Sequence, residues 1–181
     1  MLIFLVGYMY CGKTTLGRQL VQTLNETGHK ASFVDLDNAI EERYHLTIAD
    51  CFRRYGESMF RALESTVLRS ITDSPQTNTI VATGGGTPCF NDNMQWMLSH
   101  GLPVYINVPA ETLIIRMQHS RKSRPILAVA DENERSEKLT ELLSQRQPYY
   151  LQSPIVVQGD DINATSVAKL IFDYSAQQSL S

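Results

Sequence analysis

Leu2-Ile3-Phe4-Leu5-Val6-Gly7-Tyr8-Met9-Tyr10-Cys11-Gly12-Lys13-Thr14 begins as an apolar, β-rich run and passes through the spacing G-x-x-x-x-G-K-T. An amphipathic pattern follows, with Leu16, Leu20, Val21 and Leu24 on one face and Gly28 at its end. Strand, glycine loop and helix in this order form a cradle for phosphate. The loop turns backbone N–H groups inward, and the helix N-terminus behind them is partly positive. A lysine at this position reaches the outer phosphates, and the hydroxyl after it ligates magnesium. Gly7, Gly12, Lys13 and Thr14 carry that chemistry, while Tyr8, Met9, Tyr10 and Cys11 contribute backbone amides whatever their side chains. Thr15 is structural or a second phosphate donor. The competing reading, a strand-to-helix turn with a chance lysine, does not account for the flanking strand and helix together.

Outward from this loop, short apolar runs alternate with helical patterns. Leu2–Val6, Ser32–Leu36, Thr79–Thr83, Val104–Val108 and Ile155–Gln158 read as strands. Their apolar residues are mostly continuous, as suits a parallel sheet covered on both faces. Helices are expected from Thr47 to Gly56 and over 57–72, 92–100, 110–118, 135–146 and 163–177. The alternation predicts a doubly wound α/β fold in one domain spanning 1–181.

The composition narrows the class of partner. With 43% hydrophobic and 19% charged residues and a formal net charge of -3, the chain has no general basic excess for nucleic acid or membrane surfaces. The cluster Arg116, Arg121, Lys122 and Arg124 is accounted for by a triphosphate. Cys11, Cys51 and Cys89 show neither zinc spacing nor a complete pairwise set, which favours a reducing compartment. The apolar start lacks a basic flank and is soon interrupted by Gly12-Lys13, and no run is long enough to span a bilayer. A cytoplasmic monomer is expected.

Four further stretches carry candidate chemistry. Asp35 and Asp37 stand at the C-terminal end of the second strand, the edge where open α/β sheets bind ligands. If extended geometry persists they point the same way: one could help hold hydrated magnesium and the other accept a hydroxyl proton. Equally, Asp37 could cap the next helix with Asp35 a solvated strand end. Gly84-Gly85-Gly86 follows the third strand and suits either a close backbone approach or a tight turn. Arg61 and Glu64 are spaced i, i+3 on a helix, as a surface ion pair or as an arginine steered toward an anion. Arg146 falls near a helix C-terminus, where a cation is favourable without any function. Arg124, before Pro125 in the polar stretch 118–137, is either a mobile phosphate ligand or part of a solvated charge run. His29, His45, His100 and His119 form no metal or triad spacing. Trp96 and Met97 read as core.

In order along the chain, GYMYCGKTT, DLD, FRALE, ATGGG, RPIL and RQPYY resemble the shikimate kinases. The resemblance implies a P-loop NTPase fold like that of the nucleoside monophosphate kinases. It has a five-stranded parallel sheet flanked by helices, substrate-binding helices over about 37–72 and a lid over about 118–134. It implies ATP-dependent phosphorylation of the shikimate 3-hydroxyl, a step toward chorismate and the aromatic amino acids. By the same resemblance Lys13, Thr14 and the loop serve ATP, and Thr14 and Asp35 serve Mg2+. Asp37 is then the candidate base, and Arg61, Gly84, Gly85, Gly86 and Arg146 bind shikimate. The two arginines hold its carboxylate, Arg124 is the lid arginine on the phosphates, and Arg116 lies against adenine. Tyr10 is bulky where this family commonly has a small residue, and Pro88-Cys89-Phe90 could reshape the pocket wall. A gluconate kinase-like enzyme is the rival within this architecture, and a nucleotide-binding regulatory module is the rival outside catalysis. Arg61 with Glu64, the glycine triplet and the acceptor set Asp37, Arg61 and Arg146 weigh against both.

Overall fold

A computed structural model describes residues 1–71, 77–120, 132–159 and 162–178, without the side chains of 132 and 133. Its core is one five-stranded sheet of order β2-β3-β1-β4-β5 with every paired neighbour parallel. The strands are β1 (Leu2–Val6), β2 (Ala31–Asp35), β3 (Asn78–Ala82), β4 (Leu102–Asn107) and β5 (Ile155–Gln158). The helices are α1 (Lys13–Glu26), α2 (Leu36–Tyr44), α3 (Ile48–Ser70), α4 (Asn93–His100), α5 (Ala110–Gln118), α6 (Glu132–Tyr150) and α7 (Ala164–Gln178).

Burial follows position in the sheet. The central β1 is buried at every residue, and β3 and β4 at all but one each, which is why their runs are continuously apolar. The edge strands β2 and β5 are only partly covered and tolerate Ser32 and Gln158. Helix α1 packs through Leu16, Gly17, Leu20 and Leu24, and the turn beyond it uses Gly28 at φ 84°. Met97 is buried, whereas Trp96 is only partly buried, its ring stacked on His100 and edge-on to Phe4.

Three local expectations are corrected. Extended geometry does not persist to Asp37, because the chain turns into α2 directly after Asp35. The capping residue is Asp35 rather than Asp37: Asn38 N donates to Asp35 Oδ1 at 3.4 Å. Asp37 lies in the first turn, where a carboxylate suits the helix dipole. The helix does not end at Arg146 but runs through Pro148 to Tyr150, so Arg146 belongs to its body. The expected break at Gly56 is present, at φ 77° and ψ 174°, as a kink inside the single span of α3.

The order of strands gathers the site. β1 and β3 are neighbours, and the chain leaves β1 toward β2 but leaves β3 toward β4, so connections diverge from adjacent strand ends, the arrangement that opens a crevice there. The loops after β1, β2 and β3 adjoin one another at that edge.

Candidate active site

A cavity of about 590 Å3 opens at this edge. Its walls bring together Lys13, Thr14 and Thr15 from the first loop, Asp35 and Asp37 from the start of α2, and Arg61 and Glu64 from α3. Gly84, Gly85, Gly86 and Arg146 complete it. An adjoining cavity of about 400 Å3 is lined by Cys11, Arg116, Leu16 and Ile106, and shares Tyr10, Gly12 and Thr15 with the first. Gly7 lines neither. A Cβ there would lie 2.8 Å from Ile106 O, and φ is 144°, so its part is to let the loop leave β1 against β4. Arg124 and residues 121–131 lie outside the described residues.

On the cradle side, Lys13 is buried and its Nζ donates to Gly7 O and Tyr8 O, both at 2.8 Å. Thr14 Oγ1 donates to Asp35 Oδ2 at 2.9 Å, which joins the hydroxyl after the lysine to the carboxylate ending β2. Arg116 Nη1 donates to Tyr10 O at 3.2 Å and ties α5 to the loop. Tyr10 itself has φ 67°, a left-handed conformation that favours glycine. Cys11 is buried, with its sulfur 3.5 Å from Lys13 Nζ.

On the opposite side the spacing of Arg61 and Glu64 does not make a surface pair. Arg61 is 7% exposed and Glu64 is 0% exposed. Arg61 Nη1 donates to Glu64 Oε2 at 2.9 Å, and Nη2 donates to Glu57 Oε1 at 3.0 Å. The other Glu64 oxygen accepts from Thr87 Oγ1 at 2.6 Å. Burial raises the Glu64 pKa above its ordinary value, while the Arg61 charge and the two hydrogen bonds pull it back. Aromatic rings surround the guanidinium, Phe90 at 4.3 Å and Phe60 at 5.0 Å from Cζ to ring centre. Phe90 therefore forms part of the support beneath the pocket wall, as its place after the glycines suggested. Glu57 and Phe52 also belong to this assembly. The i, i+4 spacing of Glu57 and Arg61 was the available signal for the first. Nothing in the sequence placed Phe52 against the cavity.

The three glycines are close-approach positions. A Cβ on Gly84 would lie 3.0 Å from Glu64 Oε1 and 3.2 Å from Asp37 Oδ1. On Gly86 it would lie 2.5 Å from Arg61 Nη2. Gly86 has φ -92° and ψ -15°, which any residue adopts, so side-chain volume is its whole constraint. Gly86→Ala therefore pushes Arg61 away while leaving the backbone unstrained. The affinity of the cavity for a carboxylate ligand should fall about tenfold by titration, with Tm down by only a few degrees.

The arrangement is two cationic groups on opposite sides of a single cavity that also holds carboxylates, Asp37 among them. Lys13 sits on the cradle side, Arg61 and Arg146 on the far side, and Asp37 in the same walls. A shikimate kinase family model matches residues 9–175. The chain belongs to the shikimate kinase family. A shikimate kinase of Bacteroides thetaiotaomicron is 38% identical over 160 residues, covering 88% of this chain and 87% of the relative. One from Gloeobacter violaceus is 39% identical over 157 residues, covering 87% and 82%. Among solved structures, a Bacteroides thetaiotaomicron shikimate kinase superposes with a TM-score of 0.84 at 34% identity, over 97% of this chain and 98% of that one. The Acinetobacter baumannii shikimate kinase in complex with shikimate gives 0.81 at 32% identity, over 99% and 95%. The expected family and fold are thus both found.

Proposed function

We propose that the chain transfers the γ-phosphoryl group of ATP to the 3-hydroxyl of shikimate, giving shikimate 3-phosphate and ADP. The observation that carries this reading is the single cavity in which a phosphate cradle faces Asp37 and two buried arginines. Family membership supports the same reaction.

Phosphoryl transfer asks a protein for alignment and charge neutralisation more than for covalent chemistry. Arg61 and Arg146 hold the acceptor's carboxylate, Arg61 already oriented by Glu57 and Glu64. Asp37 orients the reacting hydroxyl and takes its proton as the bond to phosphorus forms. Lys13 turns its ammonium from the Gly7 and Tyr8 carbonyls to the phosphates and stabilises the charge that develops there. Arg116 serves the nucleotide's base in the adjoining cavity. Arg124 is assigned to the phosphates on the resemblance.

The oxygen donors Thr14 and Asp35, already hydrogen-bonded to each other, fit magnesium. Among the described residues there is no cluster of three or more His, Cys, Asp or Glu side chains able to hold a metal alone. Thr14 would hold the ion directly and Asp35 through water, with the nucleotide's phosphates supplying further oxygens. Held there, Mg2+ would offset the charge of the phosphates during transfer.

Three free cysteines support a reducing, cytoplasmic setting, and we assign the enzyme as a monomer with small-molecule partners. Among the described residues no helix is long and apolar enough to cross a membrane.

The test is ADP release from Mg-ATP with shikimate, gluconate, AMP or no acceptor. Release should depend on shikimate. Equal release without an acceptor, or faster release with gluconate, would overturn the assignment.

A further inference from the structure

Tyr8 occupies a loop position whose side chain the phosphate chemistry does not use. It is nevertheless among the most deeply buried residues, 1% exposed. Its backbone carbonyl accepts a hydrogen bond from Lys13 Nζ at 2.8 Å, on the cradle side. Its ring lies on the other side, under the guanidinium of Arg146, with 5.5 Å from Cζ to the ring centre. One residue thus touches cations from both halves of the site.

The two arginines of the acceptor side are held differently. Arg61 is gripped by two carboxylates. Arg146 is 6% exposed, yet among the described residues no carboxylate pairs with it. Its position is set by packing instead. A Cβ on Gly85 would lie 3.6 Å from Arg146 Nη1 and 3.2 Å from Met9 N, so loop, glycine and arginine meet without spare volume. Tyr150 OH donates to Gly85 O at 2.5 Å and fixes that glycine against α6. The Tyr8 ring packs against the guanidinium from the loop side, and Arg146 still lines the cavity.

The Tyr8 hydroxyl contributes little to this. It is buried and finds no hydrogen-bond partner among the described residues. Burial pushes its pKa up to about 12, so the ring is a neutral phenol whose π-face is negative. A ring supplies orientation without neutralising the guanidinium, so the Arg146 charge stays available to an anionic ligand. A carboxylate in the same place would compete with that ligand.

We propose that Tyr8 is a positioning residue, whose π-face holds Arg146 in the orientation that receives the acceptor's carboxylate. This rests on the assignment of Arg146 to that carboxylate. It gives the aromatic filling of the loop a function in acceptor recognition rather than in phosphate binding.

The test compares Tyr8→Phe, Tyr8→Leu and replacement of Tyr8 by pentafluorophenylalanine, each with shikimate and with its methyl ester. Tyr8→Phe keeps the ring face and should keep the wild-type shikimate KM. Tyr8→Leu should raise that KM about 2- to 30-fold, the range spanned by cation–π contacts from exposed to desolvated settings. Its kcat and its KM for ATP should stay within about twofold of wild type. The fluorinated ring has nearly the same shape but a reversed quadrupole, so it should behave as Tyr8→Leu does. It decides the matter if the leucine variant fails to fold. The KM for the methyl ester, which gives Arg146 no carboxylate, should not change in any variant. Equal shikimate KM values for the fluorinated and Phe variants would overturn the proposal, as would a parallel rise in the ester KM. Wild-type protein without shikimate-dependent turnover overturns both this proposal and the function beneath it, and shows itself before any variant is compared.

Discussion

Asp37→Asn lowers kcat by about 100- to 10,000-fold, the usual contribution of a positioned general base, while ATP binding stays near wild type. Asn keeps the size and one hydrogen-bond acceptor, so the substitution removes proton affinity and charge and little else. The carboxylate lies close to Gly84 in the shared cavity, away from Lys13's hydrogen bonds to the loop carbonyls. Single-turnover measurements with saturating Mg-ATP separate the two effects: a slow chemical step with unchanged nucleotide affinity is expected. Full activity in this variant would remove Asp37 from the reaction.

Arg61→Ala is expected to damage binding and folding together, and the reason lies in its partner. Loss of the charge-assisted hydrogen bonds proposed to the acceptor carboxylate should raise the shikimate KM about 100-fold. The same change strands Glu64, a fully buried carboxylate left with Thr87 as its donor among the described residues. Removing one member of such a pair typically costs about 3–5 kcal/mol. The sign in pH follows from the raised Glu64 pKa. A carboxyl that holds its proton more tightly when folded favours the folded state at low pH. That advantage fades as pH rises from the ordinary carboxylate range through the folded pKa. In Arg61→Ala the raising influence of burial loses its main opposition, so the variant should lose more stability than wild type as pH increases. Adding Glu64→Gln should restore much of the stability and flatten the pH slope without restoring the KM. Thermal unfolding of the single and double variants between pH 5 and pH 8 checks this directly.

Much of the fold was legible because its signals are local. The central strands are buried on both faces and carry unbroken apolar runs, and the glycine loop sits between a strand and a helix as its chemistry requires. The start of α2 was misplaced because Val34-Asp35-Leu36-Asp37 alternates like a strand, and only the capping side chain of Asp35 shows that extension ends there rather than at Asp37. The site was legible as residue types and less so as environments. Spacing placed Arg61 and Glu64 on one helical face but did not say which face is buried, since that depends on the glycine turn and Phe90 arriving from beyond β3. Arg146 looked like an ordinary helix-terminal cation because the helix continues through Pro148. Tyr8 was read through its backbone alone, since the ring's partner lies on α6 and no sequence pattern joins the two.

The strand order also governs when these parts can meet during synthesis. β1 and β2 come first from the ribosome, yet they share no backbone hydrogen bonds, because β3 lies between them. Until Asn78–Ala82 emerges, neither strand has its partner on that side of the sheet. The nascent chain therefore carries the phosphate loop and both aspartates for dozens of residues before either is fixed in place. Insertion of β3 joins the two early strands and sets the three glycines beside the loop in the same event. Parallel pairing of this kind is slow to close and exposes apolar edges meanwhile. The two halves of the site thus begin together, with Arg116 and Arg146 still to follow, and a chain arrested before that strand has neither.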